Sequence, residues 1–254
     1  MLPCDLLTSF SFNFLRRFSS IVKPQEFYDS FADPSNKLRC YFYNVDLQGR
    51  LFLEETLPKN IATSIKDTRF LDFFFTRLRA ILPRDAELLT ARELEIPLQD
   101  YPFVSPCRSE LNFLRPAATP VVFHSLHADY QGKMELVCAG TISQTFMADQ
   151  IAVCQETGRL YHKLSALSLN SRQRDGSEAQ GFKLPLQEHY GLIRSSVAVA
   201  LAEQIVVDEK ISNTQRNSGL RFVHGKTGMA TSLPWLPEAS KPGPWSMPHV
   251  EGVE

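Results

Sequence analysis

The stretch YPFVSPCRSELNFLRPAATPVVF, residues 101–123, decides how the rest of the chain is read. Its prolines at 102, 106, 116 and 120 exclude a long regular helix, because each lacks an amide N–H and pushes the preceding residue toward extended backbone. Between them lie Ser105, Cys107, Arg108, Glu110, Asn112 and Arg115, the polar groups able to do chemistry or recognition. The spacing predicts a rigid loop between buried aromatics, serving either as a site or as a buried polar network joining two layers.

Upstream, Tyr41, Tyr43 and Val45 alternate with Cys40, Phe42 and Asn44, the period-2 signature of a strand. Asp46–Gly49 suits a tight turn, since Asp bonds its own backbone and Gly reaches positive φ. Arg50–Glu54 is the expected return strand, and Ile61, Thr63 and Ile65 suggest a third. A helix is expected from Arg69 to Leu82, capped by Asp67 or Thr68 and stopped by Pro83. Its rows Phe70, Phe74, Leu78 and Leu71, Phe75, Leu82 make a wide stripe suited to packing on a sheet. Residues 84–100 are mixed and charged, a surface connection with some helical character.

Downstream, Val121–Leu126, Met134–Ala139 and Gln144–Met147 are strand-like, with turns at Asp129–Gly132 and Gly140, the pattern of an antiparallel meander. Gly158-Arg159-Leu160-Tyr161 echoes Gly49-Arg50-Leu51-Phe52. Residues 165–188 read as a polar exposed loop. The spacing Ile193, Val197, Leu201, Ile205 predicts a second helix over 192–207. A last hairpin is expected at Leu220–Val223 and Met229–Leu233. From Pro234 onward five prolines and two tryptophans mark a flexible tail able to anchor to the body or to a partner.

The class implied is α+β: antiparallel hairpins and meanders on two main helices, in one domain over 39–233 divisible into lobes 39–115 and 116–233. The 254 residues suffice for that, and 43% hydrophobic content with 22% charge and 18 phenylalanines predicts a soluble protein with an aromatic-rich core. A net charge of -1 and pI of 6.6 carry no basic stripe for nucleic acid. Cysteines 4, 40, 107, 138 and 154 contain no Cys-x-x-Cys pair, which opposes a zinc knuckle or disulfide framework and points to a reducing compartment. No run reaches the ~20 apolar residues of a membrane-spanning helix.

The first residues are Arg-bearing, Ser-rich and acid-poor, with Phe10, Phe14 and Phe18 on one helical face. That is the composition of a mitochondrial transit peptide over 1–18, processed after Phe18 and followed by a linker over 19–38. An amphipathic helix belonging to the fold is the alternative.

Four chemical readings compete. A nucleophile would be Cys107 or Ser105, with His124 or His162 as base and Glu110 or Asp129 orienting it; no glycine elbow supports it. A metal would need His124 and His127, which three-residue spacing on a strand sends to opposite faces. No phosphate-cradling glycine loop occurs, so no cofactor is called for. The Glu110–Asn112–Arg115 trio is either an ion pair across the turn, with Asn112 bonding loop carbonyls, or an arginine fork for a small anionic ligand or a partner's acidic group, with Ser105 alongside.

Tyr41-Phe42-Tyr43-x-Val45-Asp46-x-x-Gly49-x-Leu51-Phe52-Leu53, Phe74-Phe75-x-Arg77-Leu78, Pro102-Phe103-x-Ser105-Pro106-Cys107, Asn112-Phe113-Leu114-Arg115 and Pro120-Val121-Val122-Phe123 resemble a family catalogued as uncharacterised protein family 0598. Gly158–His162 and Gly191-Leu192 extend the resemblance, which spans most of 40–205. It implies a mitochondrial protein and supplies no activity. More distantly, the order hairpin, helix, loop, meander and Gly-Leu helix is similar to a β-rich bacterial family of unknown function. These readings lead to a mitochondrial, non-catalytic binding or assembly module with an unknown protein partner or small anionic ligand. The alternative is a small-molecule enzyme sited around Ser105–Arg115 with a nearby histidine.

Overall fold

The computed structural model describes residues 37–107, 109–129, 131–164, 168–169, 189–207, 217–225 and 228–237. The expected leader, most of the linker, the polar run 171–177 and the tail beyond 237 lie outside the described residues.

β1 (Arg39–Val45) and β2 (Leu51–Leu53) form the expected hairpin. Asp46 Oδ1 accepts from the amides of Gln48 and Arg50, both at 2.9 Å, and Gly49 takes φ +80°. The stretch at 101–123 is not a loop. β4 (Phe103–Cys107) and β5 (Glu110–Pro116) are an antiparallel hairpin, and β5 runs parallel to β1 in full register. The prolines fit because the ladder does not need their amides. β3 (Arg79–Ala80) pairs only with Phe103 and Val104, so Pro106 lies past its end, and Pro116 closes β5. The five-stranded sheet has the order β2-β1-β5-β4-β3, with the stretch at its centre.

α1 (Thr68–Thr76) begins as expected, with Asp67 accepting from the Phe70 amide at 2.9 Å. It ends well short of Leu82, because Leu78 is wholly buried and Arg79–Ala80 enter the sheet. Pro83 does not stop a helix; it opens α2 (Pro83–Ala91), where its missing amide costs nothing. Residues around Ile61 form turns instead of a strand, and Ile65 makes one bridge to Leu51.

The second sheet has the order β11-β8-β7-β6-β12-β10-β9. Its strands are β6 (Val122–Ala128), β7 (Met134–Cys138), β8 (Ile142–Thr145), β9 (Ile151–Val153), β10 (Leu160–Lys163), β11 (Ser168–Leu169) and β12 (Tyr190–Ile193). β11 places strand inside the segment expected to be loop. β12 pairs parallel to β6, and α3 (Ser195–Ala202) follows it. The helix expected over 192–207 is therefore cut at both ends, by β12 and by β13 (Ile205–Val207). β13, β14 (Asn217–Val223) and β15 (Ala230–Pro234) make a third, antiparallel sheet.

Among the described residues the fold is α+β, with three α-helices and three mostly antiparallel sheets. No helix among the described residues is long and apolar enough to cross a membrane. One core joins α1 (Leu71, Phe74, Phe75) to Tyr43, Val45 and Leu114 of the first sheet and to Phe123, Leu136 and Ile142 of the second. A second cluster lies under α2, where Leu89 and Tyr101 cover Val104, Leu111 and Phe113. A third covers the outer face of the second sheet with Tyr161, Leu192 and Leu236. The tail thus starts docked: Trp235 bridges Val153, and the Leu236 amide donates to the Val153 carbonyl at 2.7 Å.

Candidate functional site

β5 sorts the candidate residues onto two faces. Residues 110, 112 and 114 share one face and 111, 113 and 115 the other. Leu114 accordingly enters the core with α1, and Phe113 the cluster under α2. Glu110 and Arg115 are about 17 Å apart along the strand and face opposite ways. The expected Glu110–Arg115 pair does not form. Glu110 pairs instead with Arg39, Nη2 to Oε1 at 2.7 Å, directly across the parallel ladder.

Ser105 and Asn112 are framework. The Ser105 hydroxyl is fully buried and donates to the Phe74 carbonyl at 2.8 Å, tying β4 to the end of α1. Asn112 Nδ2 donates to the Ser105 carbonyl at 3.0 Å. Cys107 is buried on β4. His124 and His162 belong to the other sheet, and neither bonds to it, so the nucleophile–base pair is not assembled.

Arg115 lies in a cluster of four. Its Nε donates to Asn44 Oδ1 at 2.9 Å, and its Nη2 pairs with Glu54. Asn44 Nδ2 donates to the other Glu54 oxygen, closing a ring of three side chains. The guanidinium carbon lies 5.4 Å from the centre of the Tyr101 ring. Burial first, and then the nearby Glu54 carboxylate, push the Tyr101 hydroxyl up to about 12. The Arg115 side chain keeps 30% of its surface, and Nη1 bonds nothing among the described residues. Asn44 and Glu54 were missed in the sequence, although Asn44 interrupts the apolar row Cys40, Phe42 and so advertised a polar partner on that face.

His162 is fully buried. The Met147 amide donates to its Nε2 at 3.0 Å, which leaves the proton on Nδ1, 2.8 Å from the Lys163 carbonyl. Gln144 packs against the same nitrogen at 2.7 Å. Burial holds this imidazole below the usual histidine range, and both nitrogens are committed. His162 is a core histidine with no spare atom for acid–base work.

His124 and His127 share a face after all. β6 carries a bulge between Phe123 and Ser125, and that extra residue lets both Phe123 and Leu126 enter the core. The intervening logic of opposite faces fails for this strand. Even so, no group of three metal-ligating side chains gathers among the described residues.

A solved structure of a DUF1285 family protein from Silicibacter pomeroyi DSS-3 is similar to this chain. It aligns over 79% of this chain and 85% of its own, at 12% identity and a TM-score of 0.40. A likeness of that size identifies neither a site nor a function. Residues 31–233 match a family model described as a domain of unknown function, DUF4505, and the chain belongs to that family.

Proposed function

We propose that the protein is a non-catalytic binding module of the mitochondrial matrix, engaging a protein partner through the surface beside Glu54 and Arg115. The observation carrying this reading is a rigid loop that holds two large apolar side chains in water. Leu57 is 83% exposed and Ile61 70% exposed. The loop between them is pinned: Asn60 Oδ1 accepts from the Ala62 amide at 2.8 Å, and Thr63 donates to the Pro58 carbonyl at 2.7 Å. Lys59 ties the loop back to the Glu54 carbonyl at 2.6 Å. Apolar knobs next to a half-open arginine stacked on a tyrosine have the composition of an interface hot spot. Scattered exposed apolar residues are ordinary; a braced pair beside a polar cluster is a stronger signal.

The mitochondrial address rests on the composition of residues 1–18. The division into lobes 39–115 and 116–233 is supported by the way the first sheet draws its strands from residues 39–116 and the other two from beyond 121. The test is co-purification from mitochondria with the full chain, comparing Leu57→Asp with Ile61→Asp and, separately, Arg115→Ala. Partners lost in both variants while the thermal midpoint holds support the module; identical partners in all variants reject this surface. A reporter fused to residues 1–36 that stays outside mitochondria rejects the address.

A further inference from the structure

Three buried polar atoms lack a hydrogen-bond partner among the described residues: Gln150 Oε1, Tyr161 Oη and Arg194 Nε. Only the last belongs to a permanently charged group. A desolvated guanidinium nitrogen without an acceptor is unfavourable, and Arg194 forms no ion pair among the described residues to offset it.

The backbone fixes where this arginine stands. The Arg194 amide donates to the Phe123 carbonyl at 3.0 Å, and its own carbonyl accepts from the amides of Val197 and Ala198 at 2.9 Å each. It is both the continuation of β12 and the residue that opens α3. Because Ile193 enters the core and Leu192 the outer cluster, alternation puts Arg194 on the outer face. The β6 bulge turns His124 and His127 to that face as well. No side chain caps α3, whose first two residues, Ser195 and Ser196, are exposed. A carboxylate on this face, Glu135, sits across from His127 and accepts from the Ser143 hydroxyl at 2.9 Å.

The chemistry of His124 completes the arrangement. Its Nε2 lies 3.1 Å from the Ala139 carbonyl, and a carbonyl only accepts, so Nε2 carries the proton. Nδ1 is then an acceptor in the neutral ring and a donor in the imidazolium. Burial, with Arg194 and His127 nearby, holds His124 below the usual histidine range. An anion placed between His124 and Arg194 would reverse that pressure.

We propose that Arg194 and His124, with the uncapped start of α3, bind a tetrahedral oxyanion carried as free phosphate or as a phosphomonoester. The site is separate from the Arg115 surface and does not depend on the partner-binding reading. Affinity rises as pH falls through the His124 transition, because protonation adds a donor at Nδ1; among the described residues Arg194 and His127 are the charged or titratable groups acting on it, and Glu135 lies across the ladder from His127.

The experiment is a sulfate titration of the full-length protein, followed by the ring resonances of His124, since sulfate does not itself titrate near neutrality. The expected result is millimolar binding, an upward-moved His124 transition, and about tenfold weaker binding in Arg194→Gln. His124→Gln, with binding read from the backbone amide resonances of Ser195 and Ser196, keeps a donor toward Ala139 and is expected to retain binding at pH 8 while losing the gain at pH 6. Arg159→Gln, at the exposed residue just before β10, is the control that changes nothing. No sulfate effect on wild-type His124, or equal affinity in Arg194→Gln, overturns the site. Parallel arms with inorganic phosphate and phenyl phosphate identify whether the anion is taken free or as an ester.

Discussion

Arg79 and Asp85 meet in a two-bond fork, Nη1 to Oδ2 at 2.6 Å and Nη2 to Oδ1 at 2.8 Å, with the carboxylate entirely inside the protein. Asp85 also accepts from the Leu82 amide at 2.7 Å, so one side chain caps α2 and pins β3 to it. Asp85→Asn leaves a buried guanidinium short of its countercharge, with an expected cost of about 3–5 kcal/mol. Urea unfolding measures it. The double change Arg79→Met with Asp85→Leu is expected to cost less than Asp85→Asn alone. A double variant weaker than the single would show that the pair is stabilising in itself.

Asp72 fastens α1 to the second sheet. Its Oδ1 accepts from the amides of Gly140 and Thr141 at 3.1 and 2.7 Å, and its Oδ2 from the Thr141 hydroxyl at 2.7 Å. Asp72→Ala abandons three donors at once, and a loss of about 2–3 kcal/mol is expected. Hydrogen exchange should localise the change to α1 and the Gly140 turn. Exchange that accelerates uniformly over the whole chain would contradict a local fastening.

His162 sets an acid limit. Its folded transition lies below the unfolded one, so the unfolded chain binds the proton more readily. The stability held by the neutral ring is full above about pH 6.5 and is lost as pH falls below that, at up to about 1.4 kcal/mol per pH unit per proton. His124 and His189 are lowered by burial too and add to the slope. His162→Gln can still accept from the Met147 amide and should flatten the decline by one proton. A slope unchanged by that substitution would remove His162 from the account.

Gly191 is needed for space. A Cβ there would meet Phe123 Cε2 at 2.6 Å and Leu164 Cδ2 at 3.2 Å. Phe123 is wholly buried and has nowhere to retreat. Gly191→Ala is expected to cost about 1–3 kcal/mol, partly recovered by adding Phe123→Leu. Thermal midpoints of the single and double variants decide it.

The β1–β2 hairpin and the Asp67 cap were legible because their signals are local: alternation, a turn residue at fixed offset, and an acceptor three residues before its donor. The centre of the first sheet was not. Prolines 102, 106, 116 and 120 read as loop because sequence cannot show which amides a ladder leaves unused. Pro83 misled for the same reason, since a proline that ends one helix and one that starts another look alike. At the candidate site, membership was legible and partnership was not. Arg115 and Glu110 were both singled out, but strand parity parts them, and their partners Glu54 and Arg39 lie more than sixty residues away. His124 and His127 were parted on paper by a parity that one bulge undoes.

The parallel pairings of β1 with β5 and of β6 with β12 impose a timetable on the chain. Made or threaded from its N-terminus, β1 appears about seventy residues before the strand it must lie beside, and β6 waits about as long for β12. In the interval β1 has one paired edge, against the three residues of β2, while Tyr43 packs on Phe70 and Phe74 of α1 and Phe42 on Tyr101. A chain halted before Glu110 leaves the second edge of β1 open, prone to pair with a neighbouring molecule. Released just past Pro116, it has every strand of its first sheet. The few residues of β5 therefore separate a fragment that aggregates from one that can begin to close.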